Sequence, residues 1–229
     1  MRGRRLLARA RLWLLDYLYA GFWQAHGILR ADPDRELDPA ATGQPVLLLP
    51  GVYERWQFMR PLADALAERG HPIHVVPDLG WNTRTIAVSA DAVGDFLEER
   101  DLRDVVIVAH SKGGLIGKHA MLHQDPQGRI DRMIAVATPF VGSVYARLFL
   151  LRSVRAFSPR DRTLRRLAEQ LEVNARITSI WGAFDPHIPG GSRLDGATNI
   201  VLRTSGHFRI LRQPELVAAV VHAAEREPQ

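Results

Sequence analysis

The sequence predicts a parallel β-sheet with helices on both faces, and three observations predict it. Short apolar runs alternate with longer segments in which apolar residues recur at helical spacing, the pattern of strand–helix–strand units joined by right-handed crossovers. One run, Val105-Val106-Ile107-Val108, is four β-branched residues long, as in a strand buried on both faces. That run leads into Ala109-His110-Ser111-Lys112-Gly113-Gly114, where small residues flank a serine on a tight turn and two glycines open a helix. At 229 residues the chain is long enough to bury a sizeable core in one main domain.

The elements follow in order. Residues 1–30 read as an N-terminal amphipathic helix. On a helical wheel Leu6, Ala10, Trp13, Leu14, Tyr17 and Leu18 share one face, with Arg2, Arg5, Arg9 and Asp16 on another. The run around Leu12–Tyr19 is too short for a membrane span, and Asp16 interrupts it. No small-x-small cleavage site follows, which argues against a secretory leader. Docking on the domain's own core and interfacial membrane attachment both fit the segment. Residues 31–45 are polar and punctuated by prolines, as in a linker. The main domain spans 46–229.

Within it, Val46–Leu49 reads as a buried strand ending at Pro50-Gly51, followed by a helix from about Gln57 to Arg69, stopped by Gly70. Ile73–Val76 is the second strand, with a turn at Pro77-Asp78-Leu79-Gly80-Trp81 and a helix from Ile86 to Arg100. After the Val105 strand, a helix runs from Ser111 to about His123. Met133–Ala137, Ile177–Trp181 and Thr198–Leu202 are further strands, and Pro214 opens a last helix at its first turn, where proline is tolerated. Residues 141–176 form an insertion, apolar at Tyr145, Leu148, Phe149, Leu151, Val154 and Phe157.

Composition excludes several chemistries. With no cysteine there is no disulfide, thiolate metal site or catalytic thiol, which fits a reducing, cytoplasmic setting. The net charge is +5, and lysine stands only at 112 and 118, so the basic surface is almost all arginine. Arginines crowd the first eleven residues and the 141–176 insertion. Such segments suit an anionic membrane surface. No nucleic-acid motif or aromatic-interleaved basic stripe is present, so no nucleic-acid partner is expected.

In a parallel sheet, reactive residues collect beyond the carboxyl ends of the strands. That rule gathers Gly51, Ser111, Asp185 and His207 at one edge. A serine hydroxyl needs a histidine to take its proton, and the histidine needs a carboxylate to fix its tautomer and stabilise the imidazolium. Ser111, His207 and Asp185 supply the three. The tetrahedral intermediate needs backbone N–H donors. Lys112, directly after the serine, is one; its side chain is expected to be solvated at the pocket rim. The other should come from the turn after Val46–Leu49. Other candidates are weaker: His110 should point away from Ser111 and pack, His187 lies too early for the base and suits a rim position, and Asp195 is a reserve acid. Asp78 reads as a structural turn. His119 and His123 stand one turn apart but lack a third ligand, so no metal site and no cofactor are expected.

Ala109-His110-Ser111-Lys112-Gly113 resembles the nucleophile elbow of the α/β-hydrolase superfamily, with Ala109 in place of the first glycine. The order Ser111, Asp185, His207 is that of the superfamily, and the resemblance to bacterial lipases and esterases runs from Pro45 to about Gln213. Pro50-Gly51-Val52 is similar to the His-Gly-x turn of those lipases, which implies the Val52 N–H as the second oxyanion donor. Ala137-Thr138-Pro139-Phe140-Val141-Gly142-Ser143 is similar to their Thr-Pro-His-x-Gly-Ser segment, and Gly182–Pro189 to their acid-bearing loop. The resemblance implies that 141–176 is a short helical lid and that Tyr53, Trp81, Phe140 and Phe149 contact substrate. It implies a serine hydrolase acting on small-molecule or lipid esters of hydrophobic acyl groups. Thioester hydrolysis, acyl transfer, or a non-catalytic membrane-associated binding role use the same fold.

Overall fold

A computed structural model describes residues 2–29, 41–143 and 157–225. Among these residues six strands form one sheet in the order β2-β1-β3-β4-β5-β6: β1 Val46–Leu49, β2 Ile73–Val75, β3 Val105–His110, β4 Ile130–Val136, β5 Ile177–Phe184 and β6 Thr198–Ser205. Every described pairing is parallel. The chain steps outward from β1 to β2, then crosses to the other side of β1 to form β3. This reversal leaves a crevice beyond the ends of β1 and β3, where open α/β sheets place their ligands.

Among the described residues there are six α-helices: α1 Arg2–Leu29, α2 Arg60–Ala67, α3 Ile86–Glu99, α4 Lys112–His123, α5 Arg162–Glu169 and α6 Pro214–Ala224. Strand residues alternate between two cores, as the two-residue period of a strand requires. Leu47, Leu49, Ile107, Ala109, Met133 and Ala135 pack against α3, α4 and α5. Val46, Leu48, Val106, Val108, Ile134 and Val136 pack against α2 and α6, with Tyr19 of α1. Both β1 and β3 are fully buried, so their continuous apolar sequences reflect cover on both faces.

Three details differ from the sequence expectation. The helix expected from Gln57 is a 3₁₀ turn, Trp56–Met59, followed by α2, whose first turn holds Pro61. Strands β5 and β6 run past Trp181 and Leu202 to Phe184 and Ser205. Their register shifts between Gly182 and Phe184, and a Cβ on Gly182 would stand 2.7 Å from the Thr204 carbonyl oxygen. The glycine and the polar Arg203-Thr204-Ser205 hide this extension from any apolar pattern. Its effect is to deliver Asp185 and His207 immediately beyond a paired strand end.

The third difference concerns α1. The wheel put Asp16 on the outer face, but Asp16 is wholly buried while Leu14 and Leu18 are about 60 % exposed. The inward face is Asp16, Tyr19, Ala20, Trp23 and Gly27, at helical spacing, packed on the Trp56–Met59 turn and on the 3₁₀ turn Arg209–Arg212. The Tyr19 hydroxyl donates to the Phe58 carbonyl at 3.3 Å. A hydrophobicity wheel ranks a carboxylate as outward-facing; here backbone donors make burial possible. Residues 30–40, most of the expected linker, and 144–156, the centre of the expected lid with Phe149, lie outside the described residues. Of the insertion, α5 is described, its N-terminus capped by Asp161, which accepts from Leu164 N–H at 3.1 Å.

Candidate active site

Strand β3 ends at His110 and α4 begins at Lys112, so Ser111 alone makes the reversal, at φ 50°, ψ −116°. Few L-residues adopt that conformation. Small neighbours make it possible. A Cβ on Gly113 would lie 2.6 Å from the Leu49 carbonyl carbon, and one on Gly114 would lie 2.7 Å from Thr138 Cγ2. Ala109 is wholly buried between Leu49 and Ala135 of the flanking strands, where its single methyl is accommodated. The Ser111 N–H donates to Val136 O at 2.9 Å, fixing the turn to β4.

The three residues brought together by the strand ends are in contact. Ser111 Oγ lies 3.0 Å from His207 Nε2, and His207 Nδ1 lies 2.8 Å from Asp185 Oδ2. The second Asp185 oxygen accepts from the N–H groups of His187 (2.7 Å) and Ile188 (2.9 Å). Burial alone would raise the Asp185 pKa, but the His207 charge and N–H, with the two backbone donors, outweigh it and hold it below the usual range. Burial likewise pulls His207 down, and Asp185, assisted by Glu54 and Asp16, more than reverses this, so its pKa is raised. With Nδ1–H directed at a carboxylate, Nε2 can accept the hydroxyl proton.

Lys112 directly follows Ser111, and Val52 lines the same cavity as Ser111. Lys112 is the first residue of α4, so its N–H belongs to the four that a helix leaves unbonded. Among the described residues the Val52 N–H has no hydrogen-bond partner. The turn carrying Val52 is braced from several sides. Gly51 N–H donates to Glu54 Oε2 at 2.8 Å, Tyr53 N–H donates to Trp81 O at 2.8 Å, and Asn82 Nδ2 donates to Pro50 O at 2.7 Å.

The Lys112 side chain corrects the sequence reading. It is 2 % exposed rather than solvated, and Nζ donates to Asn82 O, Asn82 Oδ1 and Arg84 O. Those oxygens satisfy all three ammonium donors, which is why a lysine can be buried here. Burial still lowers its pKa to about 8. Lys112 thereby ties the start of α4 to Asn82, which in turn holds Pro50.

His110 packs, as expected, but is also bonded at both ring nitrogens. Nδ1 lies 2.8 Å from Glu54 Oε2 and Nε2 lies 3.0 Å from the carbonyl of His207. A carbonyl only accepts, so Nε2 carries a proton and donates it. Glu54 therefore joins the Gly51 turn, His110 and the His207 main chain. The sequence reading missed this role for Glu54, along with those of Asp16 and Asn82.

A cavity of about 540 Å³ opens beside Ser111 and His207, lined by Val52, Tyr53, Phe58, Phe157, Ile188 and Phe208 among others. Trp13, Ala20 and Gln24 of α1 also line it, so the N-terminal helix forms one wall. Tyr53 lines the cavity. Trp81 does not: the Arg55 guanidinium covers its ring at 4.6 Å. Phe140 does not either: it turns into the α3–α4 core at 2 % exposure, leaving Pro139 on the cavity side. His187 is a wall residue rather than a rim one, its ring 4.7 Å from that of His207. Burial, then the His207 charge, lowers its pKa to about 3, so it stays neutral. Asp195 pairs with Arg193 on an exposed loop, Asp78 is exposed in the turn after β2, and the His119 and His123 rings contact each other on α4.

A model of the alpha/beta hydrolase family matches residues 46–195. No curated protein matches the sequence. Among solved structures, a Bacillus licheniformis lipase in its mature form superposes with a TM-score of 0.59 at 17 % identity, covering 83 % of this chain and 94 % of the lipase. A monoacylglycerol lipase from Paleococcus ferrophilus gives 0.61 at 14 % identity, covering 83 % and 97 %. A predicted CIB-like hydrolase from Thermoplasma acidophilum gives 0.59 at 16 % identity, covering 82 % and 89 %. At these identities the likeness is one of fold.

Proposed function

Because the chain belongs to the alpha/beta hydrolase family, we propose that it is a serine hydrolase cleaving carboxylic esters of hydrophobic acyl groups, with Ser111, His207 and Asp185 as its catalytic triad. The observation that carries this reading is the continuous chain of contacts Ser111–His207–Asp185, at 3.0 and 2.8 Å, at the wall of a largely apolar 540 Å³ cavity. Hydrolase and lipase neighbours support the class of chemistry; the cavity lining supports the acyl preference.

In this mechanism His207 Nε2 takes the Ser111 proton as Oγ attacks the ester carbonyl. The carbonyl oxygen becomes an oxyanion held by the Val52 and Lys112 N–H groups, at the positive end of α4. His207 passes its proton to the departing alkoxide, leaving an acyl-serine. Water then gives a proton to His207 and attacks the acyl carbon; as the bond to Ser111 Oγ breaks, His207 returns that proton to Oγ and the acid is released. Asp185 stabilises the imidazolium at both steps. The apolar lining holds the acyl chain and keeps bulk water from competing before the alcohol leaves.

A fluorophosphonate probe tests the nucleophile: wild type should label and Ser111→Ala should not. Labelling unchanged in Ser111→Ala, or none in folded wild type, would leave the non-catalytic binding role instead. A panel of p-nitrophenyl esters tests the acyl preference; turnover of acetate alone would refute it. Activity confined to thioesters, or to transfer onto an added alcohol, would identify the alternative chemistries.

No helix among the described residues is long and apolar enough to cross a membrane. Peripheral contact with an anionic bilayer is nonetheless part of this proposal. Leu14, Leu18 and Phe22 of α1 are each about 60 % exposed, and Arg209 and Arg212 edge the groove beside Leu18 and Phe22. Co-sedimentation with anionic but not zwitterionic vesicles, weakened by Leu18→Ser, is expected; equal recovery with both would refute it.

A further inference from the structure

The N-terminal helix holds a carboxylate against the main chain of the proposed general base. Asp16 is wholly buried. Its Oδ2 accepts from the N–H of His207 at 3.0 Å, and its Oδ1 from those of Phe208 (2.9 Å) and Arg209 (2.8 Å). Those three N–H groups open the 3₁₀ turn Arg209–Arg212, whose preceding residue, Phe208, offers no side-chain cap. A cap normally comes from the residue beside the helix start; here it comes from 191 residues away. The site is shaped for the carboxylate. Gly206, at φ 114°, leaves the space that Asp16 fills, and a Cβ there would stand 2.7 Å from Oδ1. On the other side of the same residue, His110 donates to the His207 carbonyl. The His207 main chain is thus gripped at its N–H by α1 and at its C=O by β3.

We propose that Asp16 is a positioning residue for His207, so that α1 is part of the catalytic apparatus and more than a cavity wall. The proposal rests on the serine-hydrolase reading. Three donors converging on one buried carboxylate leave His207 little freedom to move along or rotate about its backbone. Its Nε2 must meet Ser111 Oγ to within a fraction of an ångström for proton transfer, and misplacement by about 1 Å costs on the order of 100-fold in rate. The charge has a second effect. The groups facing the His207 ring are Asp185 from the loop after β5, Glu54 from the turn after β1, His110 from β3, His187, Ser111 and Asp16. Asp16 adds to the negative field favouring the imidazolium. An asparagine in its place would keep the size, lose that charge, and set an NH₂ group against N–H donors.

The test uses the full chain and the rate of fluorophosphonate labelling at Ser111 from pH 5 to pH 9, with melting temperature measured alongside. Asp16→Asn is expected to label roughly tenfold or more slowly above neutral pH. The acid limb of its profile should move toward lower pH, a displacement that loss of packing alone would not produce. A folded Asp16→Asn protein with wild-type rate and an unmoved limb would overturn the proposal while leaving the hydrolase reading intact. Absence of labelling in wild type would instead overturn that reading and the positioning role with it. Should Asp16→Asn fail to fold, amide hydrogen exchange on wild type decides. Protection of the His207, Phe208 and Arg209 amides by about 100-fold or more is expected for donors bonded to a buried acceptor. Exchange at free-loop rates would refute the contact.

Discussion

Replacing Gly113 by alanine adds one methyl group where the structure has no room for it. The new Cβ would stand 2.6 Å from the carbonyl carbon of Leu49, nearer still to its oxygen, and 3.0 Å from its Cβ. Contacts between such atoms settle near 3.5 Å, so α4 and β1 would have to part by about 1 Å. Neither yields easily. Leu49 is wholly buried, and β1 is paired on both sides. Overpacking a tight core costs about 1–3 kcal/mol, and here backbone is pressed on backbone, so about 3 kcal/mol is expected. For a chain of this size that is a fall of about 6–12 °C in Tm. The same shift displaces the Lys112 N–H and Ser111 together, so labelling should fall by on the order of 100-fold even where the protein stays folded. Gly21→Ala is the matched control. It also adds one methyl, but nothing lies within 4 Å of it on the exposed side of α1, so it should stabilise by about 0.5–1 kcal/mol. Differential scanning calorimetry and labelling kinetics on both variants decide. A Gly113→Ala protein melting within about 2 °C of wild type and labelling at an unchanged rate would refute the close-approach argument.

Three further outcomes are expected. Lys112 and Lys118 are both buried, with pKa values lowered to about 8; the unfolded chain keeps those protons to about pH 10.4. It therefore binds more protons than the native state between these limits, and the unfolding free energy from urea titration should rise from pH 8 toward pH 10, by on the order of 1 kcal/mol per pH unit, with the midpoint rising alongside. A flat or falling midpoint would refute it. Lys118 Nζ is fully buried with no hydrogen-bond partner among the described residues, so Lys118→Met should raise the unfolding free energy from urea titration at pH 7 by about 1–2 kcal/mol and reduce that slope. In Asp185→Asn the largest part of the field that raises the His207 pKa is lost, so ester turnover should drop by about 10⁴-fold and the acid limb should move toward lower pH; a stopped-flow pH profile that keeps its limb would exclude Asp185 as the partner.

How much of this was legible beforehand depends on the range of the interaction that decides each feature. The sheet and its helices follow from local patterns: β-branched runs buried on both faces, and a proline at the start of α6. Ser111, Asp185 and His207 were legible because topology carries strand ends to one edge whatever the details between them. The inward face of α1 was not. Asp16 looks like an interruption in an apolar run, and only the folded chain brings the His207–Arg209 donors that make its burial favourable. Lys112 misled for the same reason, since its acceptors at Asn82 and Arg84 lie 30 and 28 residues away. Polar burial depends on partners that composition does not reveal. The ends of β5 and β6 were missed because backbone pairing, not apolar side chains, extends them.

The contact between Asp16 and His207 joins segments 191 residues apart. In the chain α1 precedes every described strand, and its carboxylate has nothing to bind until β6 and the turn after it are in place. Closing so long a loop is slow relative to helix or local strand formation. On this account the contacts of His207 with Ser111 and Asp185 form late in folding. A chain that had assembled only β1 to β5 would hold Ser111 and Asp185 but lack His207 and the three backbone donors that make burial of Asp16 favourable.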